Sequence, residues 1–235
     1  MKKITALILA LLLCAMFASC KDDNEETGTN VTENEDAGED VTVGNLVFTI
    51  NDRGNYDVVG FIKTTGDDIS VEIPGTVNGH EVTGIAAEAF KAEHSITSII
   101  IPASVTHIGD FAFYNCNGLT SLIIPDSVGE IGKGAFSKCE NLKNVTLPKD
   151  LNVISDYLFE GCASLETITI PVSVTKIGNS AFKDCTKLAE VEIPAEVTSI
   201  GNTAFSGCSN LATVTYKGDA SAIEIGESAF HGTKV

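Results

Sequence analysis

Short stretches of alternating apolar and polar residues recur along most of the chain, each closed by a proline. They read "ITSIIIP", "LTSLIIP", "LKNVTLP", "LETITIP" and "LAEVEIP", ending at Pro102, Pro125, Pro148, Pro171 and Pro194. Alternation with period two predicts a strand with one face inside and one outside. The proline, which lacks an N–H, closes the strand where no ladder bond is lost. Between these strands the apolar spacing changes. In Ile131–Cys139 the apolar residues Ile131, Ala135, Phe136 and Cys139 stand at i, i+4, i+5 and i+8. That spacing predicts a short helical segment packed back on the strand.

Both patterns share one 23-residue period. The prolines keep that step, as do Leu119, Leu142, Leu165, Leu188 and Leu211, and Cys116, Cys139, Cys162, Cys185 and Cys208. The pairs Ala112-Phe113, Ala135-Phe136, Leu158-Phe159, Ala181-Phe182 and Ala204-Phe205 stay in the same phase. A fixed period in this range marks a solenoid, in which each unit covers its apolar face only by stacking on its neighbours. The expected fold is therefore an α/β solenoid of 23-residue turns over residues 69–235, with a parallel strand ladder on one side and short helical segments on the other. The turn at Val153–Phe159 lacks the usual Gly and Ala and is expected to differ locally.

Residues 41–68 depart from the repeat. "NLVFTI", "YDVVGFI" and "ISVEI" read as strands separated by turn residues, and predict a β-hairpin cap over the open end of the solenoid. At the other end, the last turn has Lys217 in place of proline and two extra residues. It reads as an atypical capping turn or an edge that pairs with another subunit.

The run "IP-x-SVT-x-IG-x-x-AF-x-x-C-x-x-L" resembles the BspA-type leucine-rich repeat, a family of bacterial surface proteins, and the likeness extends over residues 69–235. It implies adhesion to host matrix proteins or to other bacteria, without catalysis.

The amino terminus has two lysines, an apolar run from Ile4 to Phe17, and small residues before Cys20. Residues 1–19 read as a secretory signal peptide, and Ala18-Ser19-Cys20 resembles a lipoprotein processing site with Cys20 as the lipidated residue. The next residues, Lys21, Asp22 and Asp23, resemble the signal that sends Bacteroidetes lipoproteins to the cell surface. Residues 20–40 then form an acidic tether with nine carboxylates after Cys20, too polar to fold by burial. The expected address is the outer membrane, cell-surface exposed, with the membrane reached through the N-terminal lipid only. The whole chain carries a net charge of −17, which argues against nucleic acid as a partner.

No catalytic constellation emerges, and the histidines His80, His94, His107 and His231 share no metal-ligand spacing. His107 stands in a variable phase and is expected to be exposed. No cofactor and no metal are expected. For the five in-phase cysteines, disulfides, a metal ladder and core packing are the alternatives. Equivalent residues of neighbouring turns lie ~4.8 Å apart, close enough for a disulfide, but their side chains run parallel rather than converge. Reduced thiols in the core fit best.

Contact with a partner is expected on the outward strand face, where two rows run along the solenoid. One contains Ser98, Ser121, Asn144, Thr167 and Glu190; the other contains Ile100, Ile123, Thr146, Thr169 and Glu192. The exposed isoleucines read equally as a contact patch or as the β-branched residues any strand surface favours. The partner would be a host or bacterial surface protein. A glycan-associated accessory lipoprotein and a structural scaffold are the alternatives, the first weakened by a chain with no Trp and few Tyr. Asp126-Ser127-Val128 resembles an O-glycosylation site of Bacteroides-type surface proteins, with Ser127 as acceptor.

Overall fold

The computed structural model describes residues 40–63 and 68–235. In chain order its strands are β1 (Val41–Val43), β2 (Leu46–Ile50), β3 (Tyr56–Phe61), β4 (Ile69–Glu72), β5 (Thr76–Val77) and β6 (His80–Ile85). There follow β7 (Ile96–Ile100), β8 (His107–Ile108), β9 (Ser121–Ile123), β10 (Glu130–Ile131), β11 (Asn144–Thr146) and β12 (Val153–Ile154). The last are β13 (Lys176–Ile177), β14 (Glu190–Ile193), β15 (Ser199–Ile200), β16 (Thr213–Tyr216) and β17 (Glu224–Ile225). Together they make a β-solenoid of about seven turns.

Neighbouring turns pair in parallel at the 23-residue step, as in Asn144↔Ser121 and Lys176↔Ser199. Two ladders run along the body. The proline-terminated strands, with β16 of the last turn, where Lys217 replaces the proline, form one, in the pairs β4–β7, β9–β11 and β14–β16. The end of β6 and the two-residue strands one period apart form the other, β6–β8–β10 and then β12–β13–β15–β17, each short strand but β12 being followed by the repeated glycine.

The short helical segments expected from the apolar spacing do not form. The one helix among the described residues is a 3₁₀ turn at Ala220–Ala222. The reason is where the backbone donors go. Along Phe111–Cys116 the N–H groups of Phe111, Phe113 and Asn115 donate to Lys133, Ala135 and Ser137 of the next turn, each at 2.8 Å. Those of Ala112, Tyr114 and Cys116 fold back three residues, to Gly109, Phe111 and Phe113. Half of the donors thus build the stack, and no i→i−4 ladder remains to make a helix. Residues with left-handed backbone at two positions per turn, such as Phe111 and Asn115 or Tyr157 and Gly161, turn the chain between these bonds.

The apolar spacing still does its expected work, because the same residues face inward. Phe90, Phe113, Phe136, Phe159, Phe182, Phe205 and Phe230 stack in one column, with ring centroids 4.9–5.7 Å apart and planes within 19°. Leu119, Leu142, Leu165, Leu188 and Leu211 are fully buried beside them.

At the amino-terminal end β1, β2 and β3 form an antiparallel meander, and β3 then joins β6 in parallel. Phe48 and Val58 are buried in it, and Phe61 packs 6.1 Å from Phe90, at the start of the phenylalanine column. In the last turn the two extra residues bulge outward as the 3₁₀ turn, capped by Asp219. The register of β17 on β15 is kept, Ile200↔Ile225.

Candidate functional site

The strand face places the two predicted rows on the surface. Ser121, Asn144, Thr146, Thr167, Thr169, Glu190 and Glu192 are exposed, and Ser98 is half-buried, its hydroxyl donating to that of Ser70 (2.8 Å). Ile100 and Ile123 are 55% and 71% exposed, on successive turns, while Ile99, Leu122 and Ile124 between and beside them are buried. The alternation is that of a strand whose inner side chains hold the core and whose outer ones are available.

The face is not uniform along its length. Residues 167–169 make no strand pairing, and a cavity of about 320 Å³ opens there, lined by Thr167, Thr169, Glu190, Glu192, Thr213 and Thr215. Glu192 is paired with Lys217 at 2.9 Å, so the lysine that replaces proline in the last turn partly neutralises the acidic end. Glu190 has no such partner among the salt bridges of the described residues. The face therefore grades from apolar at Ile100 and Ile123 to hydroxylic and anionic at the far end.

Ser127 is exposed, and its hydroxyl donates to the Val105 carbonyl of the preceding turn (2.7 Å). Ser173 makes the same bond to Leu151 (2.8 Å). Cys20, Lys21, Asp22 and Asp23 lie outside the described residues, as do the signal peptide and most of the tether.

Cys116, Cys139, Cys162, Cys185 and Cys208 are free thiols, fully buried. Each S–H donates to a phenylalanine carbonyl of the preceding turn, for example Cys139 to Phe113 at 3.1 Å and Cys162 to Phe136 at 3.1 Å. Burial pushes the Cys116 and Cys162 thiols up to about 12. Such thiols are poor nucleophiles and poor metal ligands. Among the described residues no group of three or more His, Cys, Asp or Glu is placed to hold a metal ion. No helix among them is long and apolar enough to cross a membrane.

A second polar site, unforeseen from the sequence, lies where the meander meets the other ladder. Asn51 donates to Asp57 (2.9 Å) and Thr83 (3.0 Å), and His107 Nε2 stands 3.4 Å from Asp57 Oδ2. The His107 side chain is 42% exposed, in keeping with its variable phase, and its ring edge packs against the meander. It fits because Gly84 has no side chain: a Cβ there would overlap the imidazole. The cleft holds about 430 Å³. The sequence signal was the glycine inside a strand pattern, which marks a close approach. The contacts are satisfied within the protein and clamp the meander to the solenoid.

The profile of the BspA type leucine rich repeat region matches residues 70–189 and 179–235, in six copies. Among solved structures the chain is similar to a leucine rich repeat protein of T. pallidum, with 30% identity and a TM-score of 0.73. The likeness covers 80% of this chain and 86% of that one. It is similar as well to a leucine rich cell surface protein of Faecalibacterium prausnitzii, with 30% identity, TM-score 0.60, and 80% and 57% of the two chains covered. A leucine-rich repeat protein of Eubacterium ventriosum matches at 26% identity and TM-score 0.59, over 80% and 50%. The chain thus spans about half the length of the latter two. A search of curated proteins found no match. The chain belongs to the BspA-type leucine-rich repeat family, whose members are in general surface and protein-interaction modules.

Proposed function

We propose that this protein is a non-catalytic binding module displayed on the bacterial surface as a lipoprotein, with its strand face turned to a host or bacterial surface protein. The observation that carries the reading is the pair Ile100 and Ile123, 55% and 71% exposed on β7 and β9 of adjoining turns. Contiguous exposed apolar side chains on a rigid surface supply the anchor around which polar contacts exclude water. The similarity to a leucine rich cell surface protein of Faecalibacterium prausnitzii supports the address. So do the apolar leader, Cys20 and the Lys21-Asp22-Asp23 run in the sequence. Lipid at Cys20 and the acidic segment after it would hold the solenoid away from the membrane, since like charges extend a tether.

The test is capture of partners from host matrix proteins and bacterial surface proteins by the full chain and by the Ile100→Glu/Ile123→Glu variant. The expected result is a micromolar partner whose binding falls at least tenfold in the variant. A partner bound equally by both would move the site off this face. Retention of Cys20→Ala in the membrane fraction would refute the lipid anchor.

A further inference from the structure

We propose that the free edge of β4 is a strand-addition site, where a protein partner lays down an extended segment with apolar side chains at alternate positions and a lysine or arginine beside Glu72. The site rests on the reading of the molecule as a protein-binding module, but it does not require the pair Ile100 and Ile123. It begins with a difference between the two ladders at the amino-terminal end, where β4 and β6 belong to the same turn. On one ladder β3, β2 and β1 lie beyond β6, three strands or ~14 Å at ~4.8 Å each. On the other, β4 pairs with β7 and has no strand beyond it among the described residues. The meander therefore overhangs the edge of β4 and leaves a re-entrant groove.

The backbone shows which groups face that groove. The N–H groups of Ile69 and Ile73 donate toward β7, to Ser95 O (2.8 Å) and Ile100 O (3.0 Å), and Val71 between them is in register with Ile99. Main-chain groups of successive strand residues point to opposite edges. The N–H and C=O of Ser70 and Glu72 therefore point away from β7, into the groove. The groove holds about 430 Å³ and is walled by Val43, Leu46 and Phe61 of the meander and by Ile69 and Val71 of β4. Val43, Phe61 and Ile69 are only partly buried, at the margin of the core. Glu72 lines the same groove and is exposed.

Main-chain donors and acceptors beside an apolar wall are what an added strand completes: backbone bonds hold it, and its alternate side chains cover the wall. The Glu72 carboxylate adds a demand for a cation at one outward position. The chain's own acidic segment, with nine carboxylates in residues 21–40, is repelled by Glu72. A second copy would meet the overhanging meander before its strands reached β4. A single extended segment is thin enough to enter. Once added, it continues the strand face by one strand beyond Glu72, which is in register with Ile100, so the flanking residues of the partner come beside the exposed isoleucines.

The test is titration of the full chain with the fluorescein-labelled heptapeptide Val-Thr-Val-Lys-Val-Thr-Val, and with its counterpart carrying glutamate at the centre, followed by anisotropy and by NMR of backbone amides. Ser70→Pro removes a donor that faces the groove without removing a bond to β7. The expected result is that the lysine peptide binds below millimolar concentration, slows exchange of the Ser70 and Glu72 amides, and binds Ser70→Pro at least about tenfold more weakly at an unchanged denaturant midpoint. Glu72→Lys is expected to reverse the preference between the two peptides. No binding at millimolar concentration, or binding that leaves both amides unprotected, overturns the proposal. So does binding that neither substitution alters. If Ser70→Pro lowers the midpoint, amide protection in the parent and Glu72→Lys decide between the same two outcomes. A protein still captured through Ile100 and Ile123 when the peptide fails removes this site alone, and a peptide bound when that capture fails removes the other.

Discussion

At the scale of single residues, the cysteine and phenylalanine columns form one device. Each phenylalanine carbonyl has two acceptor sites. That of Phe113 takes the Cys116 N–H of its own turn (3.2 Å) and the Cys139 S–H of the next (3.1 Å). A small apolar residue with a weak donor meets both demands, which accounts for cysteine at a position where no disulfide forms. Because burial raises the Cys116 and Cys162 thiols from 9.0 to about 12, the folded chain holds protons that the unfolded chain releases above pH 9. Their stabilisation is complete below pH 9 and is lost between pH 9 and about 12. Denaturant unfolding across that window should therefore show stability falling with pH. Cys162→Ala is expected to make the fall shallower by about 1.4 kcal/mol per pH unit, and an unchanged slope would contradict this account of the thiol. The inward direction of these residues was legible from their phase. The carbonyl each thiol meets was not, since it belongs to a residue 26 positions earlier.

At the scale of the element, the repeated glycine governs how closely turns approach. A Cβ on Gly132 would lie 2.5 Å from the Asp110 nitrogen, and one on Gly201 2.5 Å from the Asn179 nitrogen. Neither glycine has left-handed backbone, so the need is space rather than conformation. Where the phase carries Ser155, the second ladder is interrupted between β10 and β12. The backbone N–H of Gly132, Gly178, Gly201 and Gly226 donates to the preceding turn's isoleucine carbonyl at 2.7–2.8 Å. At the break the Ser155 hydroxyl reaches Ile131 instead. The missing Gly was visible in the sequence as a local departure. That it breaks a ladder follows from the contact across turns. Ser155→Gly should close the ladder and raise stability by about 1 kcal/mol, the net worth of a regained hydrogen bond. Gly132→Ala should lower it by about 1–3 kcal/mol through the enforced clash. Both are read from denaturant midpoints, and a neutral Gly132→Ala would show that the turns can separate at no cost.

At the scale of the whole molecule, contacts join neighbouring turns only, so stability is approximately a sum over turns and their interfaces. Deleting residues 127–149, one full period, should leave a folded solenoid, because Gly109, Phe113 and Cys116 then meet Ser155, Phe159 and Cys162 in register. The denaturant dependence should shrink in proportion to the surface removed. Deleting only residues 127–146, short of a full period, should abolish folding, since the phenylalanine column and both ladders lose phase. Circular dichroism and urea unfolding distinguish the two, and a folded 127–146 deletion would refute the register argument. The last turn shows how far the rule bends: its two extra residues are accepted because they leave the stack as a 3₁₀ bulge at Ala220–Ala222.

The sequence by itself determined the period, the inward residues and the strand face, because a solenoid writes its tertiary contacts into a fixed step along the chain. Leu142, Phe136 and Cys139 could be placed inside, and Asn144 and Thr146 outside, from phase alone. Tertiary structure decided what that phase leaves open. The spacing of Ile131, Ala135, Phe136 and Cys139 suits a helix and a chain of turns equally, and only neighbouring turns taking up alternate backbone donors selected turns. Likewise Asp57, which lies outside the repeats, meets His107 within them, and the Phe111 ring lies over Gly134 of the next turn. Each depends on how far one turn stands from the next, a distance that no single stretch of the chain contains.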